Sequence, residues 1–146
     1  MKPFSNYTLC TEFLFKLERA GIKYDLNNIT ALLNYLGNPQ EKFRSVHIAG
    51  TNGKGSVSSM MNSILMESGY KCALYTSPHI KDFTERMRVN GKTIPKNTVI
   101  EITNRLLPLI QKIKPSFFEV TTAMAFEYFK KQKVDIAIIE TGLGGR

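Results

Sequence analysis

The chain has no apolar run approaching the ~20 residues of a membrane-spanning helix, which excludes an integral membrane protein of the helical kind. Its opening stretch, MKPFSNYTLCTEFLF, lacks the continuous apolar core and small-residue cleavage site of a secretory signal, so the expected location is the cytoplasm. Cysteine is scarce. Cys10 and Cys72 are the two present, far apart and without CxxC or metal spacing, so a disulfide framework and a zinc site are set aside and both are expected as small buried hydrophobes. Histidine is as rare, and neither His47 nor His79 has an acidic or cysteine partner at a useful spacing; both are expected to be structural or surface residues. Internal repeats, low-complexity tracts and linkers are absent, which at 146 residues points to a single domain.

Acidic residues are also few, 12 against 20 basic ones, for a net charge of +8. The lysines are scattered, KKQK at 130–133 being the densest group, and no basic helical stripe is interleaved with aromatics. The excess therefore reads as a solvated surface and an anionic small-molecule partner, with no nucleic acid and no membrane. What is present, 42% hydrophobic and 22% charged residues, is the composition of a globular protein with a real core.

Periodicity organises the chain. Leu9, Phe13, Leu17 and Ala20 recur at helical spacing, with Gly21 as the stop, and Ile29, Leu32, Leu33 and Leu36 repeat the pattern before Gly37 and Pro39. The period then shortens. SVHIAG and KCALYT are apolar runs suited to buried strands, and between them lies a helix whose Val57, Met60, Met61, Ile64 and Leu65 are expected to face a sheet, making a parallel βαβ unit. Asn90-Gly91 supplies the turn of a hairpin between Met87–Val89 and Thr93-Ile94. NTVIEITNRLLPLIQKI is helical with Pro108 as a kink rather than a stop, EVTTAMAFEYFKKQ is a further helix, and VDIAIIE is a third buried strand running into TGLGGR. The expected fold is α/β, a three-layer P-loop-type domain with a mainly parallel sheet, truncated at its C-terminus.

The chemistry concentrates in SVHIAGTNGKGSVSSM, Ser45 to Met60. Gly50, Gly53 and Gly55 stand between a strand and a helix, where glycine lets backbone N–H groups point at an anion and the helix N-terminus adds about half a positive charge. The strict phosphate-loop pattern fails, because Ile48 occupies its first glycine position and Gly55 separates Lys54 from Ser56. The physics survives: close backbone approach, one lysine for terminal phosphates and a hydroxyl in the first helical turn for magnesium. Glu140 closes an apolar strand, the position at which open parallel sheets hold magnesium or a catalytic water. Glu85, Arg86 and Arg88 are expected to form a solvated charged edge, and Phe117, Phe118, Phe126, Tyr128 and Phe129 to be core before they are a stacking surface.

HIAGTNGKGS, YTSPHI with ERMRVNGK, FFEVTTAMAFEYF and VDIAIIETGLGGR, in that order, resemble the N-terminal half of the nucleotide-binding domain of folylpolyglutamate and dihydrofolate synthases, relatives of the Mur ligases, from about Asp25 to Arg146. The resemblance implies that residues 1–146 are the N-terminal portion of a Mur-ligase-type central domain, the C-terminal domain being absent. It implies an ATP-dependent amide ligase that adds L-glutamate to dihydropteroate or to a folate tail through an acyl phosphate, with ATP and Mg²⁺ as cofactors. By position, Gly50, Thr51, Asn52, Gly53, Lys54, Gly55 and Ser56 match the phosphate loop, and Lys54 and Glu140 carry the catalytic roles. Ser56, Ser77 and Glu140 match the magnesium side, residues 77 to about 90 a mobile omega loop, and Phe117, Phe118, Glu119 and Thr121 the pterin contacts. The alternatives are a noncatalytic nucleotide-binding fragment and a Mur-type peptidoglycan ligase. The 49 residues before Gly50 are too few for the recognition domain a nucleotide-sugar substrate requires.

Overall fold

A computed structural model describes residues 2–18 and 25–142; Ala20, Gly21 and the closing Leu143–Arg146 of the glycine loop lie outside the described residues. Two compact units emerge, one from Met1–Gln40 with Pro95–Tyr128, the other from Glu41–Ile94 with Phe129–Arg146. Among the described residues no helix is long and apolar enough to cross a membrane.

The first unit is helical: α1 (Tyr7–Glu18), α2 (Asn27–Tyr35), α4 (Lys96–Ile113) and most of α5 (Phe117–Lys131). The face α1 buries is centred on Cys10 and Leu14, and Leu9, expected inside, is 57% exposed. α2 buries Leu32 and Leu36 as its spacing predicts. α4 runs on through Pro108, which lacks the N–H that would bond to the Asn104 carbonyl, and ends where Lys114 takes a left-handed conformation. The Asn104 side chain ties down the N-terminal arm, accepting from the Phe4 amide at 2.7 Å and donating to its carbonyl at 2.8 Å. α5 begins two residues before its expected start. Ser116 and Glu119 form a capping box, the Glu119 carboxylate accepting from the Ser116 amide at 2.7 Å while the Glu119 amide donates back to Ser116 Oγ at 3.3 Å. Within the same unit Arg105 pairs with the buried Glu127 at 2.8 Å.

The second unit is a five-stranded mixed sheet with α3 on one face: β1 (Arg44–Ile48), α3 (Lys54–Glu67), β2 (Cys72–Tyr75), β3 (Met87–Val89), β4 (Lys92–Thr93) and β5 (Ile136–Glu140). The strand order is β1-β5-β2-β3-β4. β1 and β2 each pair with β5 in parallel, so the βαβ unit holds, but its two strands leave a place between them that β5 fills. β3 and β4 add an antiparallel edge. Asn90 and Gly91 have φ of 47° and 75°, as the hairpin turn requires, and the return arm is Lys92–Thr93 rather than Thr93-Ile94. Asn90 also locks this turn to β2, its side-chain oxygen accepting from the Cys72 amide at 2.9 Å.

Cys72, Leu74 and Ile138 form the core under α3, with Val46, Ile48, Met61, Leu65, Met66 and Ile136 packed around them. The helix face differs from expectation. Ser58 and Asn62 are buried, whereas Val57, Met60 and Ile64 are 43%, 58% and 66% exposed. Met61 and Leu65, expected on the sheet side, do pack against its core. Both cysteines are free and buried, and burial pushes the Cys72 thiol up to about 11.

Candidate nucleotide and cation site

The loop between β1 and α3 is built as the glycines require. Gly53 adopts φ 76° and caps α3, a left-handed conformation that costs an L side chain about 1–2 kcal/mol. Lys54 is the first residue of α3 and folds back over the loop, its Nζ donating to the Gly50 carbonyl at 2.7 Å. Ser56 follows in the same first turn and is exposed.

Glu140 ends β5 beside this loop and is 6% exposed. Its Oε2 accepts from the Ser77 amide at 3.1 Å. Its Oε1 lies 3.6 Å from where a Cβ on Gly55 would stand, so the absent side chain leaves the carboxylate open to the first turn of α3. Thr141 fastens the strand end to β1, its amide and hydroxyl donating to the Ile48 carbonyl at 3.0 and 3.3 Å. The glycine-rich loop, Ser77 and Glu140, singled out separately in the sequence, thus meet at the carboxyl ends of three parallel strands.

Beyond Ser77 the chain makes a closed loop before β3. Glu85 is the knot: its carboxylate accepts from the amides of Ile80, Lys81 and Asp82 at 3.0, 2.9 and 2.8 Å. Asp82 in turn caps the short helix at Phe83–Arg86, accepting from the Thr84 amide at 2.9 Å. The expected solvated edge is corrected here. Arg86 is 7% exposed, and its Nε donates to His79 Nδ1 at 2.8 Å, with the Phe83 ring edge-on to His79 at 6.4 Å. The Ile80 amide is the largest of the causes that hold the Glu85 carboxyl below the ordinary glutamate range; the Asp82 and Lys81 amides and the Arg88 charge act the same way. Sequence reasoning missed this network, although D-x-x-E at 82–85 is a local capping signature. His47, the other histidine, is exposed on β1.

Of the expected pterin contacts, all in the first unit, Phe118 presents its ring to solvent at 43% exposure. Phe117 is buried and packs against Phe15 with ring centroids 5.6 Å apart. Glu119 serves the capping box, and Thr121 is fully buried with its hydroxyl donating to the Phe118 carbonyl at 3.1 Å.

Could the site hold magnesium? The donors available are a carboxylate and two serine hydroxyls, hard oxygen ligands, and among the described residues no cluster of three or more His, Cys, Asp or Glu is present. That fits Mg²⁺, which uses one or two protein carboxylates and takes its remaining ligands from phosphates and water. It does not fit zinc or a structural calcium cage.

No family model matches the chain. Individual proteins do. It is 42% identical over 133 residues to the dihydrofolate synthase/folylpolyglutamate synthase of Bacillus subtilis, a match covering 86% of this chain and 31% of that protein. The crystal structure of folylpolyglutamate synthase from Thermotoga maritima superposes with a TM-score of 0.85 at 42% identity, covering 94% of this chain and 34% of that one. A folylpolyglutamate synthase complex with AMPPCP and folate gives 0.87 at 38%, covering 96% and 36%. The chain spans about a third or less of the length of the curated relatives it matches. The mainly parallel sheet and these matches make the chain a partial counterpart of the folylpolyglutamate/dihydrofolate synthases.

Proposed function

We propose that the chain is the ATP-binding portion of a cytoplasmic, ATP-dependent amide ligase that adds L-glutamate to dihydropteroate or to a folate polyglutamate tail. The observation that carries this reading is the convergence of Glu140 on Ser77 and Gly55 at the mouth of the phosphate loop. The AMPPCP and folate held by the complex named above support the choice of nucleotide and acceptor.

In this reading the substrate carboxylate attacks the γ-phosphorus of ATP, the bond to the β,γ-bridging oxygen breaks, and ADP leaves. Glutamate's amine then attacks the acyl phosphate and phosphate departs. Lys54 Nζ gives up the Gly50 carbonyl for the terminal phosphates, and the loop amides of Gly50–Ser56 surround the phosphoryl oxygens as their charge grows. Bound Mg²⁺ supplies charge neutralisation across the phosphates. Ser56, Ser77 and Glu140 are the residues that would hold it. Phe118, exposed on α5, is the pterin-stacking candidate, with Phe117, Glu119 and Thr121 fixing the helix turn that carries it.

The test is Glu140→Gln, which keeps shape and hydrogen-bonding capacity but removes the negative charge. Calorimetric titration with a nonhydrolysable ATP analogue should show a loss of roughly tenfold or more in magnesium, by the scale of a charge-assisted contact, and little loss in chelator. Unchanged magnesium dependence with a large drop in Tm would make Glu140 a structural acid and remove the reading's support. A second reading is a noncatalytic nucleotide-binding protein, which the same loop and carboxylate would equally serve. It is separated from the first by glutamate-dependent phosphate release from ATP with dihydropteroate or tetrahydrofolate as acceptor.

A further inference from the structure

We propose that His79 and Arg86 are positioning residues: their hydrogen bond closes the loop between β2 and β3 and so holds Ser77 on Glu140. The functional half of this inference rests on the nucleotide-site reading above; the structural half does not.

The two ends of the loop are fixed by the sheet. Tyr75 pairs with Met87, and the Thr76 amide donates to the Arg86 carbonyl at 3.0 Å. The far part of the loop is gathered by Glu85, whose carboxylate collects the amides of residues 80 to 82. Between these anchors lies the limb Ser77–His79, and it carries the amide that meets Glu140. Arg86 reaches this limb from the frame side. Its guanidinium is buried next to β3, and at 2.8 Å its Nε donates to His79 Nδ1, two residues from Ser77. Such a bond is charge-assisted and directional, and a buried cation is costly to place unless its donors are used. The Phe83 ring stands edge-on to the imidazole, with centroids 6.4 Å apart. The path from the sheet to the site is therefore Met87, Arg86, His79, Ser77, Glu140. Neither His79 nor Arg86 needs to touch a ligand for its loss to be felt there.

Asparagine is the informative replacement, because its side-chain oxygen can stand where Nδ1 stands and accept from Arg86, whereas alanine cannot. Wild type, His79→Ala, His79→Asn and Arg86→Lys are compared in two measurements. The first is titration with a nonhydrolysable ATP analogue in Mg²⁺ and in chelator. His79→Ala is expected to lose about tenfold in Mg²⁺, the worth of one charge-assisted bond, and little in chelator. His79→Asn should stay close to wild type. Arg86→Lys, which keeps the charge but lacks Nε, should fall with His79→Ala. The second measurement is amide exchange at Ser77, read by nuclear magnetic resonance without ligand. Protection should drop in His79→Ala and return in His79→Asn.

Wild-type failure to bind nucleotide refutes the site reading, and the Ser77 amide still decides the positioning. Unchanged Ser77 protection in His79→Ala overturns the proposal. So does equal loss of affinity in the alanine and asparagine variants, which is the signature of mere loop packing.

Discussion

Gly55→Ala separates stability from binding more cleanly than any other single change in the glycine-rich segment 50–56. Gly55 is the second residue of α3, its φ is not in the left-handed range, and a Cβ there would meet Glu140 Oε1 at 3.6 Å, an ordinary van der Waals distance. Nothing has to move. Replacing a helical glycine by alanine removes unfolded-chain entropy and is worth up to about 1 kcal/mol in a helix interior; in a first turn we take about 0.5 kcal/mol, or roughly 2 °C in Tm. The same methyl, however, fills the space between the carboxylate and the helix N-terminus with a group that neither donates nor accepts. If phosphate and cation oxygens belong there, affinity for a magnesium–ATP analogue should fall about tenfold, some 1.4 kcal/mol, while Tm rises slightly. Gly53→Ala is the control. At φ 76° with nothing within 4 Å, its added Cβ meets no atom and pays only for the backbone, about 1–2 kcal/mol, so this variant should lose stability. Thermal melts and calorimetry on both proteins decide it. A lower Tm for Gly55→Ala, or an unchanged affinity, would refute the reasoning.

Three further outcomes are expected. Lys54→Ala should weaken analogue binding by roughly tenfold to a hundredfold, the range of a charge-assisted bond, with Tm little changed because the Gly50 contact it loses is exposed; equal affinities by calorimetry would sink the phosphate-loop assignment. Arg105→Ala withdraws a guanidinium from Glu127, which is 1% exposed; with the arginine itself 45% exposed, about 2 kcal/mol is expected, read as a lower urea midpoint at constant m-value. Glu85 has a depressed pKa, so its contribution is present above the unfolded glutamate value and is lost as pH falls through the folded one. Accordingly the amide shifts of Ile80, Lys81 and Asp82 should titrate together with one midpoint below the ordinary glutamate range, and three separate midpoints would dissolve the shared carboxylate.

Local signals in the sequence led directly to structure. Asn90-Gly91 made its turn, Pro108 did not stop α4, and Gly50 and Gly53 fell in the loop between β1 and α3 with Gly55 in the helix's first turn, because each depends on backbone sterics within a few residues. Helix orientation was harder. In α3 the apolar residues 57, 60, 61, 64 and 65 span an arc of about 140°, and the buried line lies past one edge of it, through Ser58 and Asn62, whose polarity pointed outward. In α1 the small Cys10, rather than Leu9, fixed the inward face. Two capping boxes, at 82–85 and 116–119, were legible by spacing and went unread. The Arg105–Glu127 pair joins two different helices, and no periodicity announces it.

The candidate site was legible residue by residue but not as an assembly, and strand order explains why. Sequence shows that the loop follows one strand, Ser77 another, and that Glu140 ends a third; it does not say which strand lies in the middle. Had β5 taken the edge, Glu140 would have neighboured one of the other two strand ends and lain a strand spacing of about 4.8 Å further from the other. Placed between β1 and β2, it neighbours both, Oε2 bonding the Ser77 amide on the β2 side and Oε1 facing Gly55 on the β1 side. The two oxygens of one carboxylate therefore report on two loops at once. Central placement of β5 is therefore what lets a single acid touch both the Ser77 limb and the first turn of α3.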